Sequence, residues 1–257
     1  MYIFLDIGGS YIKIASSSNL KDLKTFSYFK TQKNYIQGKK KIEEEILNIS
    51  ANKNIKAIVI AIAGMVDNKK NIADCPNLKN WSRKPLVKDL EKKFDCSAYL
   101  FNDADLAALG EASYEKSNNI AYLSLGTGVG GSRIVNKKID INNFGFEPGH
   151  QIIEKNKSFE NLVGNKNLKK NNINLEAKKN LQKWHENLAI GLVNTSLLWS
   201  PDLIILGGGL SYRYLSLKLL KPLVSKHFPF SKTLKIKKSK LINKSALYGA
   251  LYYLKNK

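Results

Sequence analysis

Cysteine is almost absent from this chain. Cys75 and Cys96 are its only two, and neither lies in a C-x-x-C pair or any other metal-ligand spacing, which excludes a disulfide framework and a thiolate zinc site. Long hydrophobic runs are missing as well: no stretch reaches the ~18 apolar residues that a spanning helix needs. The opening MYIFLDIGGS has no basic n-region, no long apolar stretch and no small-residue cleavage site, so it reads as a strand and not as a signal peptide. A cytoplasmic protein without a membrane partner is expected. A Walker A loop is excluded because no G-x-x-x-x-G-K-[ST] occurs. Acidic residues are scarce, 21 against 42 Lys+Arg, leaving a formal charge of +21. Such a surplus suits a polyanion. The lysines are nevertheless dispersed among asparagines, as in NKNLKKNNINLEAKKN (165–180), the pattern of a solvated surface. No aromatic-studded basic motif is present, so no nucleic-acid partner is expected.

What is present is an ordinary globular balance, 43% hydrophobic and 25% charged over 257 residues, enough for one large domain or two lobes with real cores. YIFLDIGGSYIKIASSS (2–18) alternates, breaks at two glycines and alternates again, predicting strand, turn and strand. KKKIEEEILNISA has helical spacing. IKAIVIAIAG (55–64) is a continuous apolar run, the mark of a strand buried on both faces. KPLVKDLEKKFD predicts a helix, SAYLFND a short strand and ADLAALGEASYE another helix, an α/β alternation. NIAYLSLGTGVGGSRIVNKKI (119–139) repeats the opening scheme, which points to a duplicated, two-lobed architecture. A long helix over 178–200, stopped by Pro201, leads into the buried strand PDLIILGGGLS (201–211). The tail SALYGALYYLKNK predicts a final helix with its basic residues at the favourable C-terminal end.

Three glycine turns each follow an apolar strand: Gly8-Gly9-Ser10, Gly126-Thr127-Gly128 and Gly207-Gly208-Gly209. Glycine lets main-chain N–H groups approach a ligand closely, and clustered N–H groups bind phosphate. Gly126, Gly128 and Gly131 also satisfy G-x-G-x-x-G. That fingerprint requires a helix directly after the turn, whereas GSRIVNKKIDI reads as a hairpin turning at Asn136-Lys137, which argues against a dinucleotide-binding domain. Asp6 precedes the first turn and is placed to reach a magnesium ion, directly or through water, while Ser10 and Lys13 could meet phosphate oxygens. His185, His227, Trp81, Trp184 and Trp199 read as packing or surface residues.

Seven motifs in order, DIGGS (6–10), AGMVD (63–67), NLKNW (77–81), NDADLAALGE (102–111), LGTGVGG (125–131), EPGH (147–150) and PDLIILGGG (201–209), span nearly the whole chain. Together they resemble the ROK sugar kinases of the hexokinase/actin-like superfamily. The resemblance implies an α/β, two-lobed actin-like ATPase fold of the ribonuclease-H-like type, with sugar at a cleft floor and nucleotide on the larger lobe. Its lobes would be 1–104, to which a C-terminal helix over 246–257 returns, and 105–245. It implies phosphorylation of a hexose, glucose at O6 foremost, by ATP with Mg²⁺. Asp103 would be the general base. Gly64, Asn102, Glu147, His150 and Glu160 would bind the sugar. Asp6, Gly8, Gly9, Ser10, Lys13, Gly126, Thr127, Gly128, Gly207, Gly208 and Gly209 would serve the donor. Asp105 and Glu111 look like supporting groups, and a homodimer is suggested.

Most members carry a cysteine-rich zinc segment after the histidine, but GHQIIEKNKSFENL (149–162) has no cysteine. No zinc is therefore expected, and His150 keeps only the reading of a sugar contact. Short zinc-free members include polyphosphate/ATP glucokinases, to which DIGGSYIK, NDADLAALGE and WSPDLIILGGGLS are similar, and the positive charge would suit polyphosphate as the donor. Kinases of N-acetylhexosamines or fructose share the framework. Sugar-sensing repressors of the same family carry an N-terminal helix-turn-helix, whereas this chain begins directly with its phosphate strand, so a DNA-binding repressor is not expected.

Overall fold

The computed structural model describes residues 1–257 except positions 52, 68, 70, 144, 232 and 233 and the side chain of Thr25. The chain divides into two compact units, Met1–Gly110 with Ala246–Lys257, and Glu111–Ser245.

The first unit is built on β1 (Tyr2–Ile7), β2 (Tyr11–Ser17), β3 (Lys24–Lys30), α1 (Tyr35–Ser50), β4 (Ala57–Ile62), the short pair β5 (Met65–Val66) and β6 (Ile72–Asp74), α2 (Leu86–Phe94), β7 (Ser97–Asn102) and most of α3 (Asp103–Ala112). Its sheet runs β3-β2-β1-β4-β7. The β1–β2 and β2–β3 pairs are antiparallel, and β1–β4 and β4–β7 are parallel. Strand β4 (AIVIAI) is buried at every position, as the unbroken apolar run predicts for a strand with neighbours on both edges and cover on both faces. Ile3, Leu5, Ile7, Ile12, Ile14, Ile58 and Ile60 form the core with Trp81. Trp81 lies against Gly38 of α1, where a Cβ would collide with the indole, and its Nε1 donates to the Gln32 carbonyl at 3.1 Å.

The second unit repeats the plan. It contains β8 (Asn119–Leu125), β9 (Val129–Val135), β10 (Lys138–Ile139), the hairpin β11 (Ile152–Glu154) and β12 (Lys157–Ser158), α4 (Phe159–Val163), α5 (Asn165–Lys170), α6 (Lys178–Trp199), β13 (Leu203–Gly207), α7 (Gly209–Tyr214), α8 (Leu217–His227) and β14 (Ile236–Lys238). The sheet order β10-β9-β8-β13-β14 has the same senses as the first, two antiparallel pairs and then two parallel ones. The duplication expected from two strand-turn-strand units is thus realised in both sheets. Asn136 and Lys137 both take positive φ, 49° and 63°, as a two-residue hairpin turn requires. Helix α9 (Ser245–Lys255) returns the chain to the first unit. There Gly249 crosses α3 so closely that a Cβ would strike the Leu106 carbonyl.

Candidate active site

In the first unit, β1 and β2 meet at the turn Gly8-Gly9-Ser10. The register sets Asp6 opposite Lys13, and Lys13 Nζ donates to Asp6 Oδ2 at 2.7 Å. Three groups distant in sequence brace this turn. Thr31 Oγ1 donates to the Gly8 carbonyl at 2.7 Å and Thr31 N–H to the Ser10 carbonyl at 2.9 Å. Lys33 Nζ donates to the Gly9 carbonyl at 2.7 Å and to the Asn77 carbonyl at 3.2 Å. A Cβ on Gly9 would sit 2.9 Å from that of Asn77, so only glycine lets the NLKNW segment pack here.

Strand β7 passes into α3 without a linker. Asn102, last in the strand, caps the helix: its Oδ1 accepts from Ala104 N–H at 2.8 Å and from Asp105 N–H at 3.3 Å. Its Nδ2 donates to the Gly64 carbonyl at 2.9 Å. Gly64 has no room for a side chain because a Cβ would meet the Asp74 carbonyl and Cys75 Sγ. Asp103 is the first residue of α3, and its Oδ1 accepts from Ala104 N–H at 2.9 Å. Desolvation, reinforced by the negative charges of Asp6 and Asp105, pushes the Asp103 carboxyl from an ordinary 3.8 up to about 7, against the helix amides that favour its ionised form. Burial pushes the neighbouring Cys75 thiol up to about 12, so Cys75 stays an uncharged packing group.

In the second unit the other two turns come together. Gly208 has φ +85°, and a Cβ there would lie 2.5 Å from the Leu125 carbonyl, just ahead of Gly126. The turn Gly126-Thr127-Gly128 is closed by Gly126 N–H to the Gly128 carbonyl at 3.0 Å. It is held from outside by Asn165 N–H to the Gly126 carbonyl at 3.0 Å and Lys166 N–H to the Thr127 carbonyl at 2.9 Å. Glu160 Oε2 occupies the space a Gly128 side chain would fill. Gly131 faces Pro148, 2.6 Å from where its Cβ would be. Packing therefore accounts for the second and third glycines of the fingerprint spacing, Gly128 and Gly131. Glu147 precedes the single helical turn Pro148–His150 and His150 closes it, with side chains 46% and 70% exposed and His150 Nδ1 3.5 Å from Glu147 Oε2.

A family model described as the ROK family matches residues 2–257. The chain belongs to the ROK family. An N-acetyl-D-glucosamine kinase of Histophilus somni is 27% identical over 97% of this chain and 97% of its own length. Among solved structures, a ROK hexokinase from Thermus thermophilus superposes with a TM-score of 0.85 at 20% identity, covering 99% of this ROK chain and 98% of that one. A ROK family glucokinase from Streptomyces griseus, in complex with glucose and AMPPNP, gives 0.81 at 19% identity, covering 100% and 99%. The α/β actin-like ATPase fold implied by the motif resemblance is the fold of this ROK chain.

Of the other acids in NDADLAALGE, Glu111 is buried at 3% exposure. Its carboxylate accepts from the hydroxyls of Ser239 and Ser245 and from the N–H groups of Lys240 and Leu241. It organises the 239–245 segment of the second unit, a supporting role. His185 is likewise structural: it is fully buried, with Nδ1 2.8 Å from the Leu181 carbonyl and Nε2 accepting from Ser216 N–H at 3.0 Å. Burial lowers its pKa and keeps it neutral. Among the described residues no group of three or more His, Cys, Asp or Glu could hold a metal ion, and no helix is long and apolar enough to cross a membrane. The sequence reading missed Thr31 and Lys33 around the first turn, and it quoted Asn77 only as part of NLKNW. Thr31 and Lys33 act through main-chain carbonyls, which no motif displays.

Proposed function

We propose that this ROK chain is a hexose kinase that transfers the γ-phosphoryl group of ATP to a sugar hydroxyl, O6 of glucose foremost, with Asp103 as the general base. One observation carries the reading: a carboxyl at the β7–α3 junction, close enough to feel the charge of Asp6 beside the Gly8-Gly9 turn, with its pKa raised to about 7. A base poised near neutrality combines a large ionised fraction with real proton affinity. As the sugar oxygen forms its bond to the γ-phosphorus, its proton passes to the Asp103 carboxylate. The bond from that phosphorus to the bridging oxygen breaks, and ADP leaves with the electron pair.

Phosphoryl transfer through a loose transition state depends on positioning and charge neutralisation. We assign these tasks to the amides of Gly8, Gly9, Gly126, Gly128 and Gly207–Gly209 with Ser10, Thr127 and Lys13, and the sugar contacts to Gly64, Asn102, Glu147, His150 and Glu160. Magnesium commonly binds through one or two carboxylates plus the phosphates of its substrate. Asp6, one of whose oxygens is engaged by Lys13, fits that role, and the ion would supply charge neutralisation on the donor. The charge of +21 favours a second reading, inorganic polyphosphate as donor.

The test is an initial-rate panel of glucose, N-acetylglucosamine, N-acetylmannosamine and fructose against both ATP-Mg²⁺ and polyphosphate. Phosphorylation of one sugar, lost in Asp103→Asn, is the expected result. No product from any pair, with sugar still bound, would make the chain a non-catalytic sugar sensor.

A further inference from the structure

Gln151 follows His150 directly and is the point at which several parts of the second unit are pinned. Its Nε2 donates to the Pro148 carbonyl at 2.9 Å, to the Gly191 carbonyl of α6 at 3.2 Å and to Thr195 Oγ1, also on α6, at 3.2 Å. Its own carbonyl accepts from Phe159 N–H at 2.8 Å, and Phe159 is fully buried with its ring filling the space above Gly191. One residue thus ties the Pro148–His150 turn to α6 through its side chain and to the start of α4, hence to Glu160, through its main chain.

The other end of the amide supplies the second observation. Gln151 Oε1 is buried and has no hydrogen-bond partner among the described residues. A buried acceptor left unpaired is costly. Rotating the amide would not relieve it, because the oxygen would then face two carbonyl oxygens. An apolar side chain of the same length would fill the space without that cost, so the amide is explained by what Nε2 does. The turn it fixes is packed against β9 through Gly149, where a Cβ would strike the Val129 carbonyl. Glu147 and His150, by contrast, stand exposed on either side. Their placement depends on the backbone beneath them.

We propose that Gln151 is a positioning residue for sugar binding: its amide clamps the Pro148–His150 turn onto α6 and so sets Glu147 and His150 where sugar hydroxyls meet them. This rests on the kinase reading above for the identity of the ligand, but the clamp itself can be read independently. Gln151→Met keeps the length and removes the donors. Relative to the full wild-type chain, it should speed hydrogen exchange of the 147–151 amides about tenfold or more. It should raise the KM for the accepted sugar by about tenfold, the loss of one or two buried hydrogen bonds, and leave the KM for ATP unchanged. Thr195→Val, which removes one of the three acceptors, guards against misfolding of the first variant and should give a smaller shift in the same two readouts. The double variant should fall short of the product of the single effects. Unchanged exchange at 147–151 in both single variants overturns the proposal, as does a KM rise shared equally by sugar and ATP. If the wild type phosphorylates no sugar, the kinase reading falls, and the exchange measurement still decides whether Gln151 holds the turn.

Discussion

Replacing Asp103 by asparagine should cost activity and add stability, and the two effects have one cause. The carboxyl titrates near 3.8 in an unfolded chain and at about 7 in the folded one. Between those values the folded chain retains a proton that the unfolded chain has released, so stability falls as pH rises from about 4 to about 7, and the full penalty stands above 7. At about 1.4 kcal/mol per pH unit, the ceiling is about 4 kcal/mol, reduced in practice because Asp103 keeps partial solvent access. Asparagine retains the Oδ1 that accepts from Ala104 N–H at 2.9 Å but carries no charge to desolvate. Urea unfolding should therefore show Asp103→Asn more stable than wild type at pH 8, with the advantage shrinking steadily toward pH 4. Turnover should fall by roughly 10²–10⁴, the usual contribution of a positioned base, and the wild-type rate should climb with pH through about 7 as the carboxyl ionises. A variant no more stable than wild type at pH 8, or one that turns over normally, would refute the reasoning.

Gly249→Ala should destabilise the first unit by about 2 kcal/mol or more, because the new methyl meets the Leu106 carbonyl and its carbon, 2.6 Å away, and helices α3 and α9 must part to admit it; an unchanged melting temperature would contradict that crossing. Lys33→Met should leave the fold intact, since Lys33 is exposed, yet loosen the first glycine turn by removing its bonds to the Gly9 and Asn77 carbonyls. The expected readout is a donor KM raised about fivefold, the equivalent of one ordinary hydrogen bond, with the sugar KM unaffected; equal donor KM values in the two proteins would remove Lys33 from the donor site.

The strands that were legible in the sequence carry unbroken or alternating apolar runs: β1 and β2, β4, β7, β8 and β9, and β13. Strand β3, KTFSYFK, escaped notice because it lies at a sheet edge with Phe26 and Tyr28 48% and 62% exposed, so no clean alternation marks it. The hairpin of β11 and β12 is too short to show a period. At the site, the carboxylates and glycines could be read because their residue types are tied to a chemistry. Gln151, Thr31 and Lys33 could not, because their partners are main-chain carbonyls or, for Gln151, also the Thr195 hydroxyl, and what sits opposite a given group is decided by the fold. Gly131 shows the converse. Its spacing mimics a nucleotide fingerprint, while the structure accounts for it through the ring of Pro148.

The buried Glu111 carries a consequence for how the chain can be cut. It is the first residue of the second unit, Ser245 is the last, and the Ser245 hydroxyl donates to the Glu111 carboxylate at 2.8 Å. The entry and exit of that unit are therefore joined at a single point, which makes residues 111–245 a closed insert within a host formed by the two flanking stretches. A segment whose ends already touch can be excised, or recircularised with a linker of a few residues and reopened at an exposed loop, without asking its backbone to travel.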